Sequence, residues 1–204
     1  MMSDKKIYKQ KEIEKLESGQ EYENCVFDKL ELKGKKLQEC IFKQCSFENC
    51  NLVDTKFNGT LFSGCNLTNA NIAGCNFFSA NFEKSKLMGL SFSRANSLIG
   101  ITFTKCNFDF ADLRGVDLSG QDLSDCSFNE TDLSLANLEK TIFLNSHIAN
   151  VKLNEAKLLL TDFRGAELQV FNLKKSNFKG AIFTPQQIAM LAEDIGIQVL
   201  ETNN

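Results

Sequence analysis

Residues 40–57 read Cys40-Ile41-Phe42-Lys43-Gln44-Cys45-Ser46-Phe47-Glu48-Asn49-Cys50-Asn51-Leu52-Val53-Asp54-Thr55-Lys56-Phe57, and a large apolar residue returns at every fifth place. The same period runs outward from this stretch in both directions. Towards the N-terminus it reaches Leu37, Leu32, Phe27 and Tyr22; towards the C-terminus it passes through Phe62, Leu67, Ile72, Phe77, Phe82, Leu87 and Phe92. One residue is then inserted, within or beside Ala95-Asn96-Ser97-Leu98-Ile99-Gly100-Ile101, and the rungs resume at Leu98 and continue to Phe183, with Leu173 among them. A helix repeats every 3.6 residues and a strand every two, so neither produces this period. A fixed short repeat signals a solenoid, whose units bury their apolar faces only against neighbouring units.

Two positions before each rung the chain is mostly small: Cys25, Cys40, Cys45, Cys50, Thr55, Cys65, Ala70, Ala111, Ala136 and Ala166 are examples. The remaining positions are mostly Asn, Asp, Ser, Lys, Thr and Gly. One large and one small residue per repeat therefore point inward, and three point outward. The small positions Leu90, Asn96 and Ile101 are irregular around the inserted residue, which reads as a bulge or kink that preserves the register. Proline is confined to Pro185, beyond the ladder, as expected where every strand must donate to its neighbour.

Ala111-Asp112-Leu113-Arg114-Gly115 and Ala136-Asn137-Leu138 carry the pattern A(D/N)LXX. On these residues the chain resembles the pentapeptide-repeat family over Tyr22 to Phe183. The resemblance implies an all-β fold: a right-handed quadrilateral β-solenoid with four repeats per coil and coils stacked about 4.8 Å apart, the strand spacing. Three regions are expected: an N-terminal cap over 1–21, the repeat solenoid over 22–183, and a C-terminal helix and dimerisation tail over 184–204.

Thr184-Pro185-Gln186-Gln187 carries a helix N-cap, a proline at the first helical position and a capping-box partner. Ile188, Leu191, Ala192 and Ile195 fall on one helical face, Gly196 suits a C-cap, and Ile197-Gln198-Val199-Leu200 alternates as a short strand would. This end resembles the C-termini of the quinolone-resistance (Qnr) pentapeptide proteins and their relatives. That resemblance implies a homodimer joined through the C-terminal ends, with Ile188, Leu191, Ile195, Ile197 and Val199 as dimerisation residues.

The eight cysteines all occupy the small inward position. Their spacing is that of the repeat, and a free cysteine packs as a small apolar residue. No metal site and no cofactor are expected. His147, the one histidine, precedes rung Ile148 and so faces outward. No nucleophile–base constellation or glycine-rich phosphate loop can be assembled, so no catalytic residues and no enzyme activity are expected. Reduced thiols without an apolar leader or membrane-length run point to a cytoplasmic protein, with neither nucleic acid nor membrane as partner.

Charge is uneven although the net value is only −3. Between Cys106 and Glu139 the chain carries Asp109, Asp112, Asp117, Asp122, Asp125, Glu130, Asp132 and Glu139 against a single base, Arg114. All these acids sit at outward positions. Asp109, Asp112, Asp117, Asp122 and Asp132 form the candidate partner-binding band, since clustered charge steers a basic partner. The plainer alternative is that Asp simply fits the slot before the rung. The Qnr resemblance implies mimicry of duplex DNA and binding to DNA gyrase and topoisomerase IV, modulating them or protecting them from fluoroquinolones or toxins. The inserted loops of Qnr proteins are missing here. A structural or protein-interaction scaffold is the competing expectation.

Overall fold

The computed structural model describes residues 5–169, 177–194 and 196–200. It is a right-handed β-solenoid of about eight turns closed by one helix. The expected rungs Leu173 and Ile195's helical position lie outside the described residues.

Each rung is buried because its side chain lands on the rung one coil below. Glu21–Glu23 (β2) pairs in parallel with Ile41–Lys43 (β4), and this with Leu61–Ser63 (β5), Asn81–Glu83 (β6) and Thr102–Thr104 (β7). Partners along this five-stranded sheet stand Tyr22↔Phe42, Phe42↔Phe62, Phe62↔Phe82 and then, across the inserted residue, Phe82↔Phe103. Single bridges mark the other three sides of each coil, for example Ser46↔Asn66, Asn51↔Asn71 and Lys56↔Asn76. Coil-to-coil hydrogen bonds such as Phe27 N–H to the Ser46 carbonyl, 2.7 Å, satisfy the backbone so that so narrow a core is possible.

Two features of the coil were not legible in the period. Except after Phe92, at the inserted residue, and after Phe183, where the helix begins, each described residue two places after a rung takes a positive φ, at glycines and equally at Lys29, Asp54, Phe110, Leu135 and Leu160. This left-handed residue turns the corner between sides. The small inward residue also does more than leave room. Thr55 Oγ1 donates to the Leu32 carbonyl at 2.9 Å, Thr141 Oγ1 to Leu118 at 2.8 Å and Ser146 Oγ to Leu123 at 2.7 Å. The Cys50 thiol does the same to Phe27 at 2.7 Å, and the Cys75 thiol to Leu52 at 2.9 Å. A hydroxyl or thiol here thus ties each coil to the one beneath.

The inserted residue widens a single corner. Between Ser91 and Ser97 the usual turn is replaced by a 3-10 turn, Phe92–Arg94. Register survives, with Asn76↔Ser97 and Lys86↔Asn107 still bridged. Asn96, nominally an inward position, is turned out to solvent, while Leu90 and Ile101 remain buried.

The N-terminal cap folds over the first coil. Lys6–Ile7 (β1) pairs in parallel with Cys25–Val26 (β3). The 3-10 segment Gln10–Lys15 follows and buries Ile13, with Leu16 just after it. Leu30 and Lys35 replace small residues in this coil because the cap, not another coil, lies against them: Leu30 packs on the core and Lys35 Nζ meets Glu14 at 2.7 Å.

At the other end His147–Ala149 (β8) pairs with Glu167–Gln169 (β9), and Pro185–Asp194 forms helix α1. The capping box is present: Thr184 N–H donates to Gln187 Oε1 at 2.9 Å, and Gln187 N–H to Thr184 Oγ1 at 3.2 Å. Gln187 Nε2 also donates to the carbonyls of Phe163 and Ala166, at 2.7 and 2.9 Å, which docks the helix on the last coil. Gly196 (φ 84) ends the helix, with its N–H on Glu193 O and Ile197 N–H on Ala192 O. The expected strand Ile197–Leu200 does not form. Its first N–H is spent on the helix cap, and alternation makes a strand only where another strand supplies the ladder.

Candidate functional site

The acidic band is built from the repeat's own turn chemistry. An Asp or Asn just before a rung bends its side chain back to accept the N–H of the residue just after that rung. Asp117 accepts from Ser119 N–H at 2.9 Å, Asp122 from Ser124 at 3.0 Å, Asp132 from Ser134 at 3.0 Å, and Asn76 from Phe78 at 2.9 Å. Such a bond satisfies a turn donor that would otherwise need water. Asp109 follows its rung instead, and accepts from Ser127 Oγ at 2.6 Å and Asn129 N–H at 2.9 Å on the next coil. Asp28 repeats that contact with Ser46 and Glu48 near the N-terminus.

Position around the rod decides what these acids can do together. Asp112 and Asp132 are stacked partners on one side. Asp117 and Asp122 belong to the next two sides, bridged to Asn137 and Ile142, and Asp109 lies on the side before Asp112. The five therefore girdle the rod and do not converge on one face. Their charge is also partly met. Arg114 Nε and Nη2 grip Asp112 at 2.8 and 2.9 Å, with Ser93 Oγ at 2.6 Å, and this guanidinium, foremost, holds the Asp112 carboxyl well below the usual carboxylate range. Lys105 pairs with Asp125 at 3.2 Å, and Lys152 stands 3.9 Å from Asp132. Bonds to Ser119, foremost, hold the Asp117 carboxyl below its ordinary value, and among the described residues it forms no salt bridge, so it carries its charge outward.

At the C-terminal end Ile188 is 51% exposed, and Ile197 and Val199 are exposed beside it. Leu191 is placed otherwise than expected: it is 1% exposed, buried against its own chain's last coil. The helical period groups Leu191 with Ile188 but does not say which edge of that face the coil covers. Ile195 lies outside the described residues. Met190, not singled out in the sequence, and Leu200, read there as the end of the alternating stretch, add exposed apolar surface here.

All eight cysteines are free and buried. Burial pushes the Cys50, Cys75 and Cys106 thiols up to about 12, so these are poor nucleophiles. His147 faces outward and its Nδ1 lies 3.0 Å from Glu167, a partner that the sequence did not suggest. Among the described residues no helix is long and apolar enough to cross a membrane.

Comparison with known proteins accords with this geometry. The family model for the pentapeptide repeat region matches residues 20–92, and that for pentapeptide repeats matches 97–120 and 122–154. The gap between the two matches falls on the widened corner. No curated protein matches the sequence. Among solved structures, full-length QnrB1, a plasmid-mediated fluoroquinolone resistance protein, is similar with a TM-score of 0.79 at 17% identity, covering 94% of this chain and 95% of that one. HetL of the cyanobacterium Nostoc, involved in heterocyst differentiation regulation, is similar with a TM-score of 0.67 at 21% identity, covering 80% and 78%. At such identities the likeness is one of fold. With its five-residue ladder, left-handed corners and two family matches, this chain belongs to the pentapeptide-repeat family.

Proposed function

We propose that this protein is a non-enzymatic binding protein whose partner is a bacterial type II topoisomerase, DNA gyrase or topoisomerase IV. The observation that carries this reading is the likeness of fold to QnrB1 over 94% of this chain, on a narrow rod with acids set regularly along its outside. By this reading the rod takes the place of duplex DNA on a basic surface, and its girdle of Asp109, Asp112, Asp117, Asp122 and Asp132 supplies the charge. It would modulate the enzyme or shield it from fluoroquinolones or toxins. Two copies would join through Ile188, Met190, Ile197, Val199 and Leu200, which the single chain leaves exposed.

The test is gyrase supercoiling against protein concentration, with and without a fluoroquinolone. The comparison is between wild type and a variant with Asp112, Asp117, Asp122 and Asp132 all changed to Asn. Asparagine keeps the turn-closing acceptor and removes the charge, so the fold should stand while the effect weakens and loses its salt dependence. No wild-type effect at tens of micromolar would remove the topoisomerase reading. A monomer at micromolar concentration by light scattering would remove the dimer.

A scaffold for other proteins is the second reading. What favours it is that the acids close their own turns and that Asp112 is gripped by Arg114, which is reason enough for acids at these positions.

A further inference from the structure

The widened corner opens the core at one place. From Tyr22 to Leu168 every rung is buried except Leu98, the first rung after the inserted residue. Asn96 has swung outward, so nothing small closes over Leu98 from that side. Beside it Ile99 stands 70% exposed, and Phe78, one coil below at the same position, is exposed too. Past Ile99 the same position drops to Ser119, and the corner is bare backbone at Gly100 and Gly120. At Gly120 no atom lies within 4 Å of where a Cβ would be. The result is a notch of about 440 Å³ lined by Leu98, Ile99, Gly100, Asp117, Ser119 and Gln121.

Its chemistry is two-sided. The floor and one wall are apolar, and the rim is Asp117, with Glu139 one coil beyond Ser119. An arginine side chain has the matching halves: a hydrocarbon stem that lies on apolar surface and a charged head that stays at a polar edge. Phosphate groups would meet a like charge here, which disfavours a nucleic acid. We propose that this notch is a docking site for an arginine of a protein partner, its stem on Leu98 and Ile99 and its guanidinium at Asp117. The site goes beyond the topoisomerase reading and stands without it. It also singles out one acid of the girdle by its surroundings.

The probe is N-acetyl-leucyl-arginine amide, titrated into the isotope-labelled full chain and followed by NMR. The Gly100, Ser119 and Gly120 amide signals should shift saturably. Asp117→Asn should weaken binding up to about fivefold, as an exposed ion pair allows, and Ile99→Ser should remove the apolar wall without adding charge and weaken it as well. Absence of shifts at these amides, or equal shifts with the glutamate analogue of the probe, would overturn the proposal. A gyrase assay separates it from the function above. If wild type and Ile99→Ser act on gyrase alike, the notch is not the contact although the target is right. Arginine-dependent shifts in a protein without effect on gyrase would keep the notch and discard that target.

Discussion

The rod before the widened corner and the rod after it are held together differently. Before it, the spine is largely aromatic: Tyr22, Phe42, Phe62 and Phe82 form one continuous stack, which reaches across the corner to Phe103, and Phe27–Phe47 and Phe57–Phe77 stack beside it at 4.8 and 5.5 Å. Six of the eight cysteines are there. After it, rungs are more often Leu, the stacked rings fall into two shorter runs, Phe108–Phe128 and Phe143–Phe163–Phe183, that meet edge-on at Phe128 and Phe143, and threonine or alanine replaces most thiols. Outside, the second half bears the acidic girdle. One backbone template thus carries two spines, and the local choice of side chain sets how firmly each coil holds its neighbour.

The strongest challenge to this contrast is a rung deletion in each half. Phe62 meets four rings, those of Phe42, Phe47, Phe57 and Phe82. Phe62→Ala should cost about 3–5 kcal/mol, at the upper end because ring pairing is lost with the volume. Leu118→Ala should cost about 2–4 kcal/mol. Equal losses in urea denaturation would dissolve the distinction.

Alkali should act on the thiol-rich half first. Burial raises Cys25 to about 11 and Cys50 and Cys75 to about 12, from an ordinary 9.0. The folded state therefore holds protons that the unfolded state releases. That contribution is complete below about pH 9 and is lost as pH rises towards 12. Between pH 8 and 10.5 the urea midpoint should fall, and the fall should be shallower in the Cys50→Ala/Cys75→Ala double variant. A pH dependence unchanged by those substitutions would contradict this.

In the second half the inward hydroxyl plays the thiol's part. Thr141→Val keeps the volume and deletes the bond to Leu118 O, so it should cost about 1 kcal/mol. No measurable loss would reduce the small inward position to mere size. The smallest effect expected is a gain. Leu135 is exposed at φ 63, where a β-carbon is strained and glycine is not. Leu135→Gly should stabilise by about 0.5–1 kcal/mol in thermal unfolding, and a loss would mean that its side chain contributes packing or binding.

Period alone was sufficient to locate the rungs, the stacking of Asp112 on Asp132 and the outward aspect of every acid, because these follow from counting. The helix ends were legible too, since Thr184, Gln187 and Gly196 act through local bonds. The left-handed corner was not, because Lys, Asp and Leu occupy it as well as glycine and geometry, not residue type, imposes it. Neither was the burial of Leu191, which depends on how the helix lies on the last coil. The strand expected at Ile197–Leu200 failed for want of a pairing edge, which no property of those residues could reveal. The notch escaped notice because it arises from what an extra residue does to Leu98, several positions away.

A surface made of identical steps gives a visitor no means of knowing how far along it stands. Contacts that fit at one level fit again at the next, and a partner could slide from one to another with little change in energy. The extra residue at the widened corner removes that degeneracy. It provides the rod with an origin, from which distances to the girdle and to either end are fixed.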